Sequence, residues 1–514
     1  MKKLTLAVLG ALGVGLTHFA GAVTLGEAVE KTVLNNPEVR FSWHEFRAAS
    51  EEQGIGRAGY LPTLDLGYDW GKSKTTEDAT QSGGPEKTVS LTSKGWSLNL
   101  TQNLFQGLQT QNLVRQLDYA QRAKYFRFLA ATEVQALEAA RAYVDVQRYR
   151  QLVAYAQDNY ATHQAIYNQL QDKVQAGVGR RVDLEQAAGR LALAKSNLVT
   201  ELSNLGDVSA RYARLTGEEP GLQMSEPASL KAQLPKDGEL ISAALKTSPG
   251  YLAALEEVRA SRADVNVRKG AFSPTLDLRA STAHGDNLDG SDGRNKRNAV
   301  DLILNVNLFR GGADRARLGV AAERLNAALD LRDKACVDLR QTLRIAHNDT
   351  RKLEEQMAYL RQHRLSTEKA RDAYRAQFDI GQRTLLDLLD SENELYDAKR
   401  AQLNAEQDIL LAQARVLASS GRLLETLKIK PIERYDFADP ARDEEAGACA
   451  TQYAAAPGYD FSSIEVKPYR AVSAQPAPAA APAAAVPAKK VKPAKQAAPA
   501  KAAPAKPAQP AKAG

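Results

Sequence analysis

The chain has 514 residues, 44% of them hydrophobic but only 6% aromatic, and a formal net charge of +7; long helices suit that composition better than a many-stranded sandwich. The charge is local, because residues 481–514 hold seven lysines (489, 490, 492, 495, 501, 506 and 512) and no acid. The remainder is balanced and shows no basic patch interleaved with aromatics, which argues against a nucleic-acid surface.

Lys2 and Lys3 precede an apolar run over 4–16, and Ala20, Gly21 and Ala22 supply small residues at a cleavage position. Residues 1–22 therefore read as a secretory signal peptide. No later stretch is long and apolar enough to span a bilayer as a helix. Residues 24–36 and 37–59 read as short helices. The second contains Gly54, Gly56 and Gly59 in a GxGxxG pattern, but the pattern closes a helix instead of following a strand, so it is no dinucleotide fingerprint.

Alternation comes next. Leu64, Leu66, Tyr68 and Trp70 point one way with Asp65, Gly67 and Asp69 opposite, and Trp96, Leu98 and Leu100 alternate with Ser97, Asn99 and Thr101. The same holds for Leu276, Leu278 and Ala280, and for Val300 to Leu308 with Ile303 as the exception. A half-buried soluble sheet shows the same period, but behind a signal peptide about ten tilted residues at ~3.3 Å each suit a ~25 Å apolar band. Four strands cannot close a barrel in lipid, so they must be pooled between subunits. Residues 71–94 and 284–296 read as the joining loops; the second holds GDNLDGSDG, which lacks the ligand spacing of a calcium loop.

Residues 105–176 contain no proline and one glycine, Gly107, which predicts a helix of ~100 Å at ~1.5 Å per residue. It turns at Gly177 and returns with Leu184, Leu191, Leu198, Leu205 and Tyr212 at seven-residue spacing, the mark of a coiled-coil seam. All of this recurs. Gly177, Asp183 and Leu184 match Gly381, Asp387 and Leu388 at an offset of 204, as do NLF at 103–105 and 307–309, and Gly217 and Gly421. Upstream the offset is 212, from Pro37 to Pro249 and from PTLDL at 62–66 to 274–278. The second seam is Leu389, Tyr396, Leu403, Leu410 and Leu417. Each copy runs short helix, strand, loop, strand, long helix, tip, return helix, a duplication that fixes the fold class. From lengths alone, a return helix and a short helix stacked end to end would match one long helix. The repeats cover about 24–220 and 236–430 of a body at 23–440. Residues 441–514, rich in Ala, Pro and Lys, read as a disordered tail. Cys336 and Cys449, so placed, read as unpaired small side chains.

The segment 380–400, IGQRTLLDLLDSENELYDAKR, closely resembles the tip of the TolC family of outer-membrane export channels, and GVGRRVDLEQA at 177–187 and NPEV at 36–39 add support. The resemblance implies a mainly α chain with a small β part. Duplicated coiled-coil hairpins would form an α-barrel in the periplasm, and four strands per chain would be pooled into a trimeric, 12-stranded transmembrane β-barrel in the outer membrane of a Gram-negative bacterium. It implies a homotrimer in outer-membrane lipid, working with a periplasmic adaptor (membrane fusion protein) and an inner-membrane ABC or RND transporter in protein secretion or drug efflux. It implies no catalysis, cofactor, metal or nucleic acid. Carried over by position, Asp387 and Asp390 match the aspartates that ring the periplasmic gate, Arg383 the gate arginine and Asp183 its tether on the first hairpin. Phe378 stands where the family often has tyrosine, so an inter-hairpin hydrogen bond should be missing. Ala176, Gly177, Val178, Ile380, Gly381 and Gln382 match the tips where adaptors dock. The alternative is a periplasmic coiled-coil adaptor, which ordinarily carries one hairpin without duplicated strand pairs. An enzyme is disfavoured, because six histidines (18, 44, 163, 284, 347 and 363) lack metal-ligand spacing and no GxSxG occurs.

Overall fold

The computed structural model describes residues 22–77, 87–236, 238–287, 292–437, 439, 449 and 461–464. The chain forms two units, 1–456 and 457–514. Of the second unit, residues 461–464 are described and contain a 3₁₀ turn, Phe461–Ser463. The proposed signal peptide and nearly all of the tail lie outside the described residues.

In the first unit α1 (Leu25–Asn35) opens with a capping box in which the Glu27 amide donates to Thr24 Oγ1 and the Thr24 amide donates back to the Glu27 carboxylate. Helix α2 (Pro37–Ala58) and its repeat α6 (Pro249–Gly270) both begin with proline at the first helical position, where no amide hydrogen is needed; this is the reason Pro37 and Pro249 recur. Each leads into a strand pair, β1 (Thr63–Glu77) with β2 (Lys87–Gln106), and β3 (Thr275–Asp286) with β4 (Arg294–Asn305). The long helices α3 (Gln109–Gln175) and α7 (Ala313–Asp379) follow, each of 67 residues, and return as α4 (Arg181–Thr216) and α8 (Leu385–Ser419). A short α5 (Leu240–Thr247) joins the halves, and α9 (Leu423–Thr426) ends the helical part.

The predicted end-to-end arrangement is present. Along α3 lie both α4 and α2, and along α7 both α8 and α6. Where α8 ends and α6 begins, the Thr247 hydroxyl donates to the Ser420 carbonyl at 2.6 Å, and a Cβ on Gly421 would stand 2.5 Å from Pro249. Only glycine fits that junction.

The sheet has the order β1-β2-β3-β4, antiparallel throughout, with β1 and β4 as free edges. Three sequence expectations are corrected here. Much of 71–94 is strand, because β1 runs to Glu77 and β2 starts at Lys87, and both ends of 284–296 are strand likewise, β3 running to Asp286 and β4 starting at Arg294. Ser, Thr and Lys on both faces hid a ladder that hydrogen bonds extend regardless of side chain. The NLF copies also differ. Asn103 lies in central strand β2 and donates to the Asp277 carboxylate at 2.7 Å, whereas β4, an edge, stops at Asn305 and Asn307 turns to the Asp314 carboxylate at 2.7 Å. Finally, Cys336 and Cys449 are joined in a disulfide with Cα atoms 5.9 Å apart, so Cys449 belongs to the helical body and not to a tail.

Three cores hold the helices. One gathers α1, α3, α4 and α8 around Val29, Tyr143, Leu215 and Leu417; another packs Phe46, Tyr125, Phe128 and Leu343 near the disulfide; the third, at the tips, comprises Ile166, Leu170, Ala187, Leu385, Leu388 and Leu389. The segment after α9 straps the second core. The Tyr125 hydroxyl donates to the Tyr435 carbonyl at 3.0 Å and accepts from its amide at 2.9 Å, and Asp439 takes Arg259 at 2.7 Å.

Candidate functional site

Both hairpin tips are built by one device. Gly177 and Gly381 take φ of 75° and 74°, the left-handed conformation that terminates a helix without Cβ strain. In α3 the Gly177 amide donates to the Val174 carbonyl and the Val178 amide to Lys173; in α7 the Gly381 amide donates to Phe378 and the Gln382 amide to Gln377. These are two Schellman closures in identical register. Ala176, Gly177 and Val178, with Ile380, Gly381 and Gln382, are all exposed, and Val178 is 80% and Ile380 69% accessible. Apolar side chains so displayed at a helix end are available to a partner.

The gate candidates lie just behind. Asp387 is the third residue of α8 and completes a capping box with Thr384, whose hydroxyl donates to its carboxylate at 2.8 Å; Arg383 stands 3.8 Å from the same oxygen. Its charge is thus engaged in starting the helix. Asp390, one turn on, is paired with Arg190 of α4 at 2.5 Å, a link between the two hairpins. Arg383 stays on its own hairpin, donating from Nε to Gln377 at 2.9 Å and lying 4.6 Å from the Tyr374 ring. Among the described residues the Asp183 carboxylate makes no ion pair, so the chain does not bring Asp183 and Arg383 together. Phe378 is half-buried against the tip core, and the Lys173 ammonium of the other hairpin lies 5.3 Å from its ring. That cation–π contact links the two hairpins at the tip.

Two inter-hairpin links were not anticipated from sequence. Arg190 follows Asp183 by seven residues and shares its helix face, a signal that spacing could have given. Glu201 is buried in the seam of α4 and meets Arg400 of α8 at 2.7 Å. The seam itself needs adjustment. The five apolar residues of the α8 row are all buried, but in α4 the deepest row is Ala187, Ala194, Glu201, Val208 and Leu215, three residues on from the expected one. Both rows have a seven-residue period.

The sheet supplies the other functional surface. The register places Leu64, Leu100, Ala280 and Val300 side by side on one face, followed by Leu66, Leu98, Thr282 and Asn298 and then by Tyr68, Trp96, His284 and Lys296. The opposite face carries Asp65, Asn99, Ser281 and Ala299, then Gly67, Ser97, Ala283 and Arg297. One face is apolar and exposed, the other small and polar, as a barrel wall between lipid and water requires.

Residues 28–218 and 240–422 match the outer membrane efflux protein family. The chain is 28% identical to the outer membrane efflux protein BepC of Brucella suis over 446 residues, covering 84% of this chain and 94% of BepC. It is 26% identical to the outer membrane protein TolC of Escherichia coli, covering 83% and 87%, and 25% identical to the alkaline protease secretion protein AprF of Pseudomonas aeruginosa, covering 91% and 99%. The fold is shared with the Campylobacter jejuni CmeC outer membrane channel, with a TM-score of 0.71 at 16% identity over 80% of this chain and 87% of CmeC. The open-state MtrE channel of Neisseria gonorrhoeae gives a TM-score of 0.67 at 20% identity, over 78% and 89%.

Proposed function

The chain belongs to the outer membrane efflux protein family, and from that premise we propose that it is the trimeric exit duct of a tripartite export system. Its place is the outer membrane, with the helices in the periplasm, and the family is a channel rather than an enzyme. The observation that carries the proposal is the two-faced sheet with both edges free, mounted on two hairpins whose tips are solvent-exposed. Free edges in lipid must be paired, and three copies joined edge to edge give a closed barrel of twelve strands.

In this reading a periplasmic adaptor docks at 176–178 and 380–382, and an inner-membrane ABC or RND transporter delivers cargo. Asp387 and Asp390 from three chains line the periplasmic constriction, with Arg383, Asp183 and Phe378 setting how tightly it closes. Residues 1–22 direct export and are removed. AprF and BepC are named for protein secretion and for efflux respectively, and the same passive duct serves either cargo.

The test is conductance in a planar bilayer. Wild-type trimers should give small, cation-selective currents blocked by a trivalent cation from the periplasmic side. The paired substitution of Asp387 and Asp390 by Ala should keep the trimer and abolish the block; persistence of the block would remove these residues from the gate.

A further inference from the structure

The apolar face of the sheet changes character toward the end remote from the helices. Beyond the row of Tyr68, Trp96, His284 and Lys296 comes the row of Trp70, Lys94, Asp286 and Arg294. Beyond that, Lys72 and Lys74 face the same way, opposite Thr92 and Ser90. This end of one chain's outer face thus carries five cations (Lys72, Lys74, Lys94, Arg294 and Lys296) against one carboxylate, Asp286. Asp286 lies between two of them, 3.5 Å from Lys94 and 3.6 Å from Arg294. Lys72, Lys74 and Lys296 make no ion pair among the described residues. Below the charges, the Trp96 and His284 rings stack with centroids 4.8 Å apart and planes 3° from parallel. Together they line a shallow recess with Lys94, Arg294 and Lys296.

The helices enter the sheet at the row of Leu64 and leave it after Gln106, so the cationic end is the extracellular one. The charged row lies two residues, ~7 Å along the strand, past the aromatic row. Aromatic rings mark the level of the membrane interface. The cations therefore sit on the lipid side of the wall, just above the hydrocarbon of the outer leaflet, where water-facing solubility does not call for them. Fixed cations at that height suit anionic headgroups, each contributing to attraction within a Debye length, and the stacked ring pair beneath them gives a rigid floor at the interface level.

We propose that this rim is a binding site for the phosphate-bearing headgroup of an outer-leaflet glycolipid, with Lys94, Arg294 and Lys296 as phosphate ligands and Trp96 and His284 as the platform below. Lys72 and Lys74 extend the attraction outward, and Asp286 keeps Lys94 and Arg294 apart and aimed outward.

The test titrates detergent-solubilised full-length trimer with bisphosphorylated lipid A, read by native mass spectrometry. Wild type should bind saturably, and Lys94→Gln/Arg294→Gln/Lys296→Gln should bind on the order of tenfold or more weakly. Lipid A stripped of its phosphates should lose a similar factor against wild type and nothing further against the variant. Inorganic phosphate at the same concentration should not displace the lipid. Equal binding of the two lipids by wild type would overturn the proposal even if the variant failed to assemble; so would a variant that binds as wild type does, or full displacement by inorganic phosphate.

Discussion

Asp390 meets Arg190 across the two hairpins at 2.5 Å with both side chains partly exposed, a setting where an ion pair contributes about 0–1 kcal/mol. In the proposed trimer the contact would recur three times, so a modest value per chain would add up to a bias toward the proposed closed state. Arg190→Ala should raise the resting conductance of the closed channel, and the exchange Arg190→Asp with Asp390→Arg should restore it; if the single change leaves conductance alone, the pair is not a latch. Asp387 requires a different experiment because its carboxylate also caps α8. Loss of a cap costs about 1 kcal/mol, so Asp387→Ala mixes two effects. Asp387→Asn keeps an acceptor for the Thr384 hydroxyl and removes only charge. It should therefore weaken trivalent-cation block while amide exchange at the start of α8 stays as in wild type. The acidic tip was legible in sequence because a motif spans it. The pairings of Arg190 and Glu201 were not, because each partner lies some two hundred residues away: spacing puts Arg190 on the face of Asp183 but says nothing of which side chain meets it.

A buried acid on α3 sets a pH dependence. Glu133 is 5% exposed, and burial pushes its carboxyl up to about 8, although it accepts from the Leu424 amide at 3.4 Å. An acid whose folded pKa exceeds its unfolded value keeps its proton in the native state while the unfolded chain has lost it. Stability is then greatest below the unfolded value and falls as pH rises from about 4.5 toward about 8. Glu133→Gln should flatten that slope, with protection of the Leu423 and Leu424 amides becoming independent of pH in that window.

Among the elements, the segment that follows α9 depends on α7 for its place. It crosses the second core through Tyr435 and Asp439 and is tied at its far end by Cys336–Cys449, which closes a loop with a sequence separation of 113. In the chain-entropy account a loop of that size is stabilised by about 4–5 kcal/mol. Cys449→Ser should make the chain beyond Ile429 markedly more sensitive to protease while the hairpins resist as before, and wild type should match it after reduction. The helical elements were legible because proline is excluded from their interiors and proline and glycine punctuate their ends: Pro37 and Pro249 start helices, and Gly177 and Gly381 stop them. The bridge was not, since two cysteines in a sequence carry no distance between them. The strand ends were also lost, because once a ladder leaves the apolar band its outward residues become Lys, Ser and Thr and the alternation that reveals a strand disappears.

For the whole molecule, the decisive property is which face of the sheet meets lipid, and neighbouring residues on one strand can test it. Leu100 shares a row with Leu64, Ala280 and Val300, whereas Asn99 shares one with Asp65, Ser281 and Ala299 on the opposite face. A lysine facing hydrocarbon near mid-membrane costs about 2–4 kcal/mol, and three chains would bear it together. Leu100→Lys should therefore sharply reduce the yield of trimer in outer membranes. Asn99→Lys should assemble normally, because a lysine in a water-filled lumen keeps its hydration, and should instead lower cation selectivity in the bilayer. The reverse pattern would place the apolar face inward and leave the free edges of β1 and β4 without a lipid-facing wall to complete. The alternation that makes this prediction sharp was visible in the sequence, but a half-buried soluble sheet alternates too. What separates the two is exposure: Leu64, Leu66, Tyr68 and Trp70 are each more than half accessible in one chain, an apolar surface that a water-soluble sheet would have to cover and that a membrane covers for it.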